Sequence, residues 1–265
     1  MPFSSEAPSV LPTRRRALVT LFSLCAAGLS GCGSGSSSAG NITFGPGEDP
    51  RIAAMGHPYI NPPYWLEYHQ RYVTRAQQGG ISAIFLGDSI TEDWQKVPEL
   101  WQERYGSRGA VTFGMSGDRT QQLLWRVENG TLDGSDAKLV VLMVGINNLL
   151  NSDTRADRYH AEGVALVVRA IQQKLPGAKV LLLGVLPAYE SPDHPQRTRI
   201  RNLNQRIAPL DNGSTVRFLD MGPAFLNPDG TLPTELVPDG VHPSPEGYRR
   251  WADTMQPLFD ELMAS

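Results

Sequence analysis

Five short apolar runs alternate with segments of helical spacing, and this alternation most constrains what the chain can fold into. The runs are Ile81 to Leu86, Ala110 to Gly114, Lys138 to Gly145, Lys179 to Pro187 and Val216 to Gly222. The third and fourth are apolar almost throughout, the pattern of strands covered on both faces. Before and between them lie segments that predict helices: Pro62 to Gln78, Pro98 to Tyr105, Thr120 to Asn129, Arg155 to Lys174 and about Gln196 to Leu210. The fourth of these carries Tyr159, Val164, Leu166, Val167 and Ile171 along one side. A last helix is expected from Pro245, with Ser244 as its N-cap. Tyr248, Trp251, Ala252, Met255, Phe259 and Leu262 would face the core, and Pro257 is expected to bend the helix. Strands alternating with helices imply a mainly parallel sheet with helices on both faces, joined by right-handed crossovers. The fold class is α/β, a three-layer α/β/α sandwich on a five-stranded parallel sheet.

In such a sheet the turns after the first three runs meet at one edge, where open α/β sheets place their ligand sites. Those turns read GDSI, GMSGDRT and GINN. Each can be a plain turn, since Gly, Asp, Ser and Asn are turn formers. Together they also offer the parts of a nucleophilic site. Ser89 supplies a hydroxyl that needs a base to become a nucleophile. Of the five histidines, His242 sits in PDGVHPSPEG, where Asp239 precedes it by three residues in a loop leading into the last helix. Three residues is about one turn of chain, so Asp239 can accept one ring N–H and leave the other nitrogen as base. The plainer reading is a polar loop with a capping aspartate. His57, His69, His160 and His194 read as structural.

A tetrahedral oxyanion also requires donors. The Ser89 and Gly117 N–H groups and the Asn147 side-chain amide would supply them, Gly117 letting the backbone approach a substrate closely. Gly117 as a turn glycine and Asn147 as a cap stay open. Asp88, next to the serine, is expected to hydrogen-bond locally and fix the turn rather than to serve as the triad acid.

GDSI, Gly117 of GMSGD, Asn147 of GINN and the Asp239–His242 pair occur in the order of the four blocks of the SGNH/GDSL hydrolases. The chain resembles that family from about residue 57 to its C-terminus. The segment FGMSGDRTQQLLWRVENG and the GINN turn are similar to the catalytic subunits of intracellular platelet-activating-factor acetylhydrolases. Many members have Asp where this chain has Asn148, which marks a subgroup. The resemblance implies a flavodoxin-like sheet and a serine esterase with no metal and no cofactor. Ser89 is then nucleophile, His242 base, Asp239 its orienter, and Ser89, Gly117 and Asn147 the oxyanion hole. It implies small acyl groups, acetyl first, and a small acyl ester or O-acetylated glycan or lipid as substrate. An acyltransferase on envelope glycans and a non-catalytic anchored module are the alternatives. G-x-S-x-G, H-E-x-x-H and Walker-type loops are absent from the sequence.

The N-terminal residues read as a targeting segment. Arg14, Arg15 and Arg16 precede the apolar stretch Ala17 to Leu29, which is too short to span a bilayer, and LSGC (Leu29 to Cys32) resembles a bacterial lipobox. Residues 1–31 are expected to be a lipoprotein signal, and Cys32 the lipidated first residue of the mature chain, with an ordinary secretory signal as alternative. Residues 32–56, including GSGSSSAG, would form a flexible tether and lead-in, and 57–265 the hydrolase domain. The chain is then exported to the bacterial cell envelope and anchored to a membrane through Cys32, with Gly33 favouring the periplasmic face of the outer membrane.

Both cysteines, Cys25 and Cys32, lie in or at the end of this segment, so the domain has no disulfide. Residues 1–31 carry three Arg and one Glu, so the remaining chain is −5 against −3 for the whole, a charge that does not suggest nucleic-acid binding. Trp65, Trp94, Trp101 and Trp125 read as core residues rather than as a glycan platform.

Overall fold

The computed structural model describes residues 62–150 and 156–264. The expected signal, Cys32, the 32–56 tether and His57 lie outside them. The elements run α1 (Pro62–Gln77), β1 (Ala83–Gly87), α2 (Ser89–Glu92), α3 (Pro98–Arg104), β2 (Ala110–Gly114), α4 (Thr120–Glu128) and β3 (Leu139–Met143). They continue with α5 (Ile146–Leu150), α6 (Asp157–Lys174), β4 (Lys179–Leu183), α7 (Pro195–Ile207), β5 (Val216–Leu219), α8 (Gly222–Phe225) and α9 (Pro245–Ala264).

The five strands form one parallel sheet in the order β2-β1-β3-β4-β5, the flavodoxin-like arrangement. In register, Gly87 at the end of β1 lies between Gly114 of β2 and Met143 of β3. The chain goes one way from β1 to β2 and the other way from β2 through β3, β4 and β5. The crevice between the carboxyl ends of β1 and β3 is therefore the topological switch point, where such sheets bind ligands.

Strands β1 and β3 are buried at every position, which explains their uniformly apolar sequences. On one face α4, α6 and α7 pack side by side. On the other, Phe85 of β1 meets Trp94, Trp101, Tyr105 and Phe259, and Trp94 meets Tyr248 and Trp251. That aromatic cluster seats α9 on the sheet. Helix α9 runs through Pro257, and its six expected core residues are all buried.

Two short helices depart from the sequence expectation. GDSI and GINN, expected as turns, start α2 and α5, of 4 and 5 residues. A helix that short shows no 3.6-residue period, so polar residues at its start look like a turn.

Candidate active site

The site begins where β1 runs out. A Cβ on Gly87 would lie 2.2 Å from Thr91 Oγ1 and 2.3 Å from the Met143 carbonyl oxygen. One on Gly114 would lie 2.1 Å from Glu92 N. The two glycines thus let α2 lie directly on the ends of β1 and β2. Asp88 turns the chain, and its Oδ1 accepts the Ile90 N–H at 3.1 Å, capping α2. This is the local hydrogen bonding expected of it. Asp88 is 1% exposed. Burial pushes its carboxyl up to about 7, and nearby Asp118 pushes the same way, against the Ile90 hydrogen bond. Ser89 follows as the first residue of α2, half-buried at the crevice.

Ser89 Oγ lies 3.0 Å from His242 Nε2, and His242 Nδ1 lies 2.8 Å from Asp239 Oδ2. The other Asp239 oxygen accepts the N–H groups of Val241, at 2.9 Å, and His242, at 2.7 Å. Burial alone would raise the Asp239 carboxyl. The hydrogen bonds from the His242 backbone and ring and from Val241 outweigh it and hold the group below the usual range. A carboxylate at Nδ1 selects the tautomer with its proton there and leaves Nε2 as an acceptor facing the serine hydroxyl. The loop carrying the pair joins α9 at Ser244, whose Oγ accepts the Gly247 N–H at 3.1 Å. Helix α9 is in turn tied to α2 by Tyr248 Oη, which donates to the Ile90 carbonyl at 2.6 Å.

The loop after β2 closes the other side. Ser116 donates its N–H and hydroxyl to Glu92 Oε2 of α2, at 2.7 and 2.5 Å. Gly117 has φ +79°, which L side chains rarely adopt, and an added Cβ would meet nothing within 4 Å. Glycine there is a demand of the backbone and not of protein atoms crowding it. Asn147 Nδ2 donates to the Asp118 carbonyl at 3.0 Å, joining the β3 turn to the Gly117 loop. Asn148 points elsewhere. Its Oδ1 accepts the Thr120 N–H at 3.0 Å and its Nδ2 donates to Gln121 Oε1 at 2.8 Å, at the start of α4.

Beneath these loops lies an ion pair that the sequence reading missed. Arg126 and Asp118 are both fully buried. Arg126 Nε donates to Asp118 Oδ2 at 2.7 Å, Nη1 to the Phe113 carbonyl at 3.1 Å and Nη2 to the Gly87 carbonyl at 3.2 Å. Trp65 Nε1 donates to the other Asp118 oxygen at 2.8 Å. The available signal was an arginine beside Leu123 and Val127 on the apolar side of α4, adjoining the GDRT turn.

The remaining candidates are structural. His69 bonds Thr131 and the Asn129 carbonyl, His160 lies 3.3 Å from Arg199, and His194 caps α7. Trp65 and Trp94 are buried, and Trp101 and Trp125 pack against them in the two aromatic clusters. Among the described residues no group of three His, Cys, Asp or Glu side chains stands in metal-binding geometry. A separate cavity of about 350 Å³ lies by β4, β5 and α7, lined by Val185, Arg197, Ile200, Asn204, Phe218 and Asp220, among others, and none of Ser89, Asp239 or His242 lines it.

The model of the GDSL-like lipase/acylhydrolase family matches residues 85–250, a span that holds the glycine-rich turns and the Asp239–His242 loop. The chain belongs to this family. It is a carboxylic ester hydrolase. Among curated relatives of this GDSL hydrolase, human platelet-activating factor acetylhydrolase IB subunit alpha1 is 32% identical over 201 residues, covering 76% of this chain and 84% of that one. The rat alpha2 subunit is 30% identical over 200 residues, covering 75% and 85%. Solved structures agree in fold. A GDSL-like lipase from Bacteroides thetaiotaomicron superposes with a TM-score of 0.60 at 23% identity, covering 74% of this chain and 97% of that one. An acetylxylan esterase from Geobacillus stearothermophilus superposes with a TM-score of 0.53 at 20% identity, covering 67% and 93%.

Proposed function

We propose that this hydrolase cleaves short-chain esters, acetyl esters first, through an acyl-enzyme on Ser89. The Ser89–His242–Asp239 chain of contacts, at 3.0 and 2.8 Å, carries the reading. His242 Nε2 takes the hydroxyl proton as Ser89 Oγ attacks the ester carbonyl. Asp239 holds the imidazole tautomer and stabilises the imidazolium. The Ser89 and Gly117 N–H groups and the Asn147 amide stabilise the oxyanion. His242 returns the proton to the leaving alcohol, then activates water to release the acid and free the serine. Acetyl specificity is supported by the acetylhydrolase relatives.

The test is turnover of p-nitrophenyl acetate, butyrate and octanoate by the full chain, beside Ser89→Ala. Acetate should be the best substrate, and the variant should lose about three orders of magnitude or more in kcat. Undiminished turnover by the variant would remove Ser89 from the mechanism, and octanoate as the best substrate would overturn the acyl assignment.

We also propose that the chain is exported and anchored by lipid on Cys32, on the periplasmic face of the outer membrane, from the order of basic, apolar and LSGC segments. Mass spectrometry of the mature N-terminus should find Cys32 as the first residue carrying diacylglyceryl mass. A chain that starts elsewhere without lipid would refute the anchor, and recovery from the inner membrane would refute the location.

A further inference from the structure

Tyr189 has φ +64°, and among the described residues every other positive φ belongs to a glycine. Aromatic side chains rarely adopt this backbone, and it persists only where the surroundings over-determine it. Here they do. The Tyr189 N–H donates to the Gly240 carbonyl at 2.7 Å. The Tyr189 carbonyl accepts from Arg197 Nη1 at 3.1 Å, and Arg197, only 4% exposed, also donates Nη2 to the Gly230 carbonyl at 3.0 Å. The ring stacks on His194 with centroids 3.8 Å apart. Its Cδ1 lies 3.6 Å from where a Cβ on Gly240 would sit.

Gly240 is the residue after Asp239 in the turn that carries His242. That turn is partly exposed: the Asp239 and His242 side chains keep 57% and 36% of their accessibility, and Gly240 and Val241 are half-buried. Core packing reaches it through Val241, which lies partly buried against the hydrophobic core, and not through the Asp239 side chain. It is also gripped by Asp239 Oδ1, which binds the Val241 and His242 N–H groups, and by Tyr189, which itself packs against the core. A base displaced by about 1 Å from its nucleophile loses much of its effect.

We infer that Tyr189 is a positioning residue: its left-handed backbone and its ring brace the Asp239–His242 turn and set His242 toward Ser89. The inference rests on the proposed triad. It adds a residue from the β4–α7 connection, held by a buried arginine, to a site otherwise built from the β1, β2 and β3 turns and the loop before α9.

The test uses the full chain with Tyr189→Phe, Tyr189→Gly and Tyr189→Asn. For each, kcat and KM on p-nitrophenyl acetate are measured, together with the rate of serine phosphorylation by diisopropyl fluorophosphate and the melting temperature. Phe keeps the ring and should stay within about twofold of wild type. Gly relieves the backbone strain but frees the turn. Its kcat and phosphorylation rate should fall together by about 10- to 100-fold, with KM within about twofold and the protein still folded at the assay temperature. If Gly melts below the assay temperature, Asn, which tolerates the left-handed backbone without the ring, is read instead against the same criteria. Turnover by Gly, or by Asn in its place, within about twofold of wild type would overturn the brace. So would a fall in kcat that Phe shares or that merely follows melting. A Ser89→Ala control keeping its activity and its labelling would sink the triad itself, an outcome separable from any result at Tyr189.

Discussion

Asp88 and Asp239 are carboxylates near the same hydroxyl, and their surroundings push them in opposite directions. Burial raises Asp88 to about 7, whereas the hydrogen bonds to Asp239 hold it below its usual range. For an acid raised above its unfolded value, the ionised form is the strained one. The associated stability is complete below about pH 4 and is lost as pH rises through 7. Asp88→Asn keeps an oxygen for the Ile90 N–H and removes the charge. Urea midpoints of the variant and wild type should therefore converge near pH 4, with the variant the more stable above pH 7 by up to a few kcal/mol. Parallel curves across that range would show that Asp88 does not titrate there. Asp239 has the opposite sign: its contribution is present above the unfolded value of about 4 and lost as pH falls. On the proposed triad its larger consequence is catalytic. Asp239→Asn would donate to Nδ1, drive the imidazole proton to Nε2 and remove the acceptor that Ser89 needs. A loss in kcat of about three to four orders of magnitude is expected at neutral pH, with KM little changed. A loss under about tenfold would show that the turn alone orients His242.

At the scale of elements, the short helix α2 depends on two glycines whose roles differ from that of Gly117. Gly114→Ala would drive a methyl to 2.1 Å from the backbone nitrogen of Glu92, which cannot yield without lifting α2 and Ser89 off the sheet. It should destabilise by about 3 kcal/mol or more and abolish turnover. Gly117→Ala meets no atom and bears only the left-handed backbone penalty, about 1–2 kcal/mol. Urea denaturation of the two variants separates these cases, and equal losses would contradict the packing account. The same elements mark how far the sequence could be read. Strands β1, β3 and β4 were legible because a strand buried on both faces is an unbroken apolar run, the partly buried edges β2 and β5 because they continue the alternation, and α4, α6 and α9 because they are long enough to show a period. Ser89, Asp239 and His242 stood out by residue type and spacing. Helices α2 and α5 did not, being shorter than two turns. Nor did Glu92, whose bond to Ser116 crosses from one turn to another, or Tyr189, whose role resides in a dihedral angle that residue type does not announce. The strand order came from family resemblance, since alternation alone does not choose between neighbours.

Across the whole molecule, the Arg126–Asp118 pair ties the first helix, the sheet and the loops into one frame. Its hydrogen bonds end on β1 at Gly87, on β2 at Phe113 and, through Asp118, on Trp65 of α1, while the Asp118 carbonyl holds Asn147 beyond β3. Such a pair is a weak source of net stability, because desolvating two charges offsets most of their attraction. Breaking it is another matter. Arg126→Met would strand the Asp118 carboxylate in the interior and take a donor from the Phe113 and Gly87 carbonyls, the latter keeping the Met115 N–H. The expected loss is about 3–5 kcal/mol. Asp118→Asn leaves a buried guanidinium unpaired and should cost a similar amount. The double variant removes both charges at once, so it should be less destabilised than the sum of the singles, by about 1–3 kcal/mol in a double-mutant cycle. It should still turn over poorly, because Arg126 also orders the ends of the strands that present Ser89 and Gly117. Additive losses would mean that the two charges act independently. Full activity in the double variant would mean that the active edge is held by the backbone alone, with the ion pair serving only to satisfy itself.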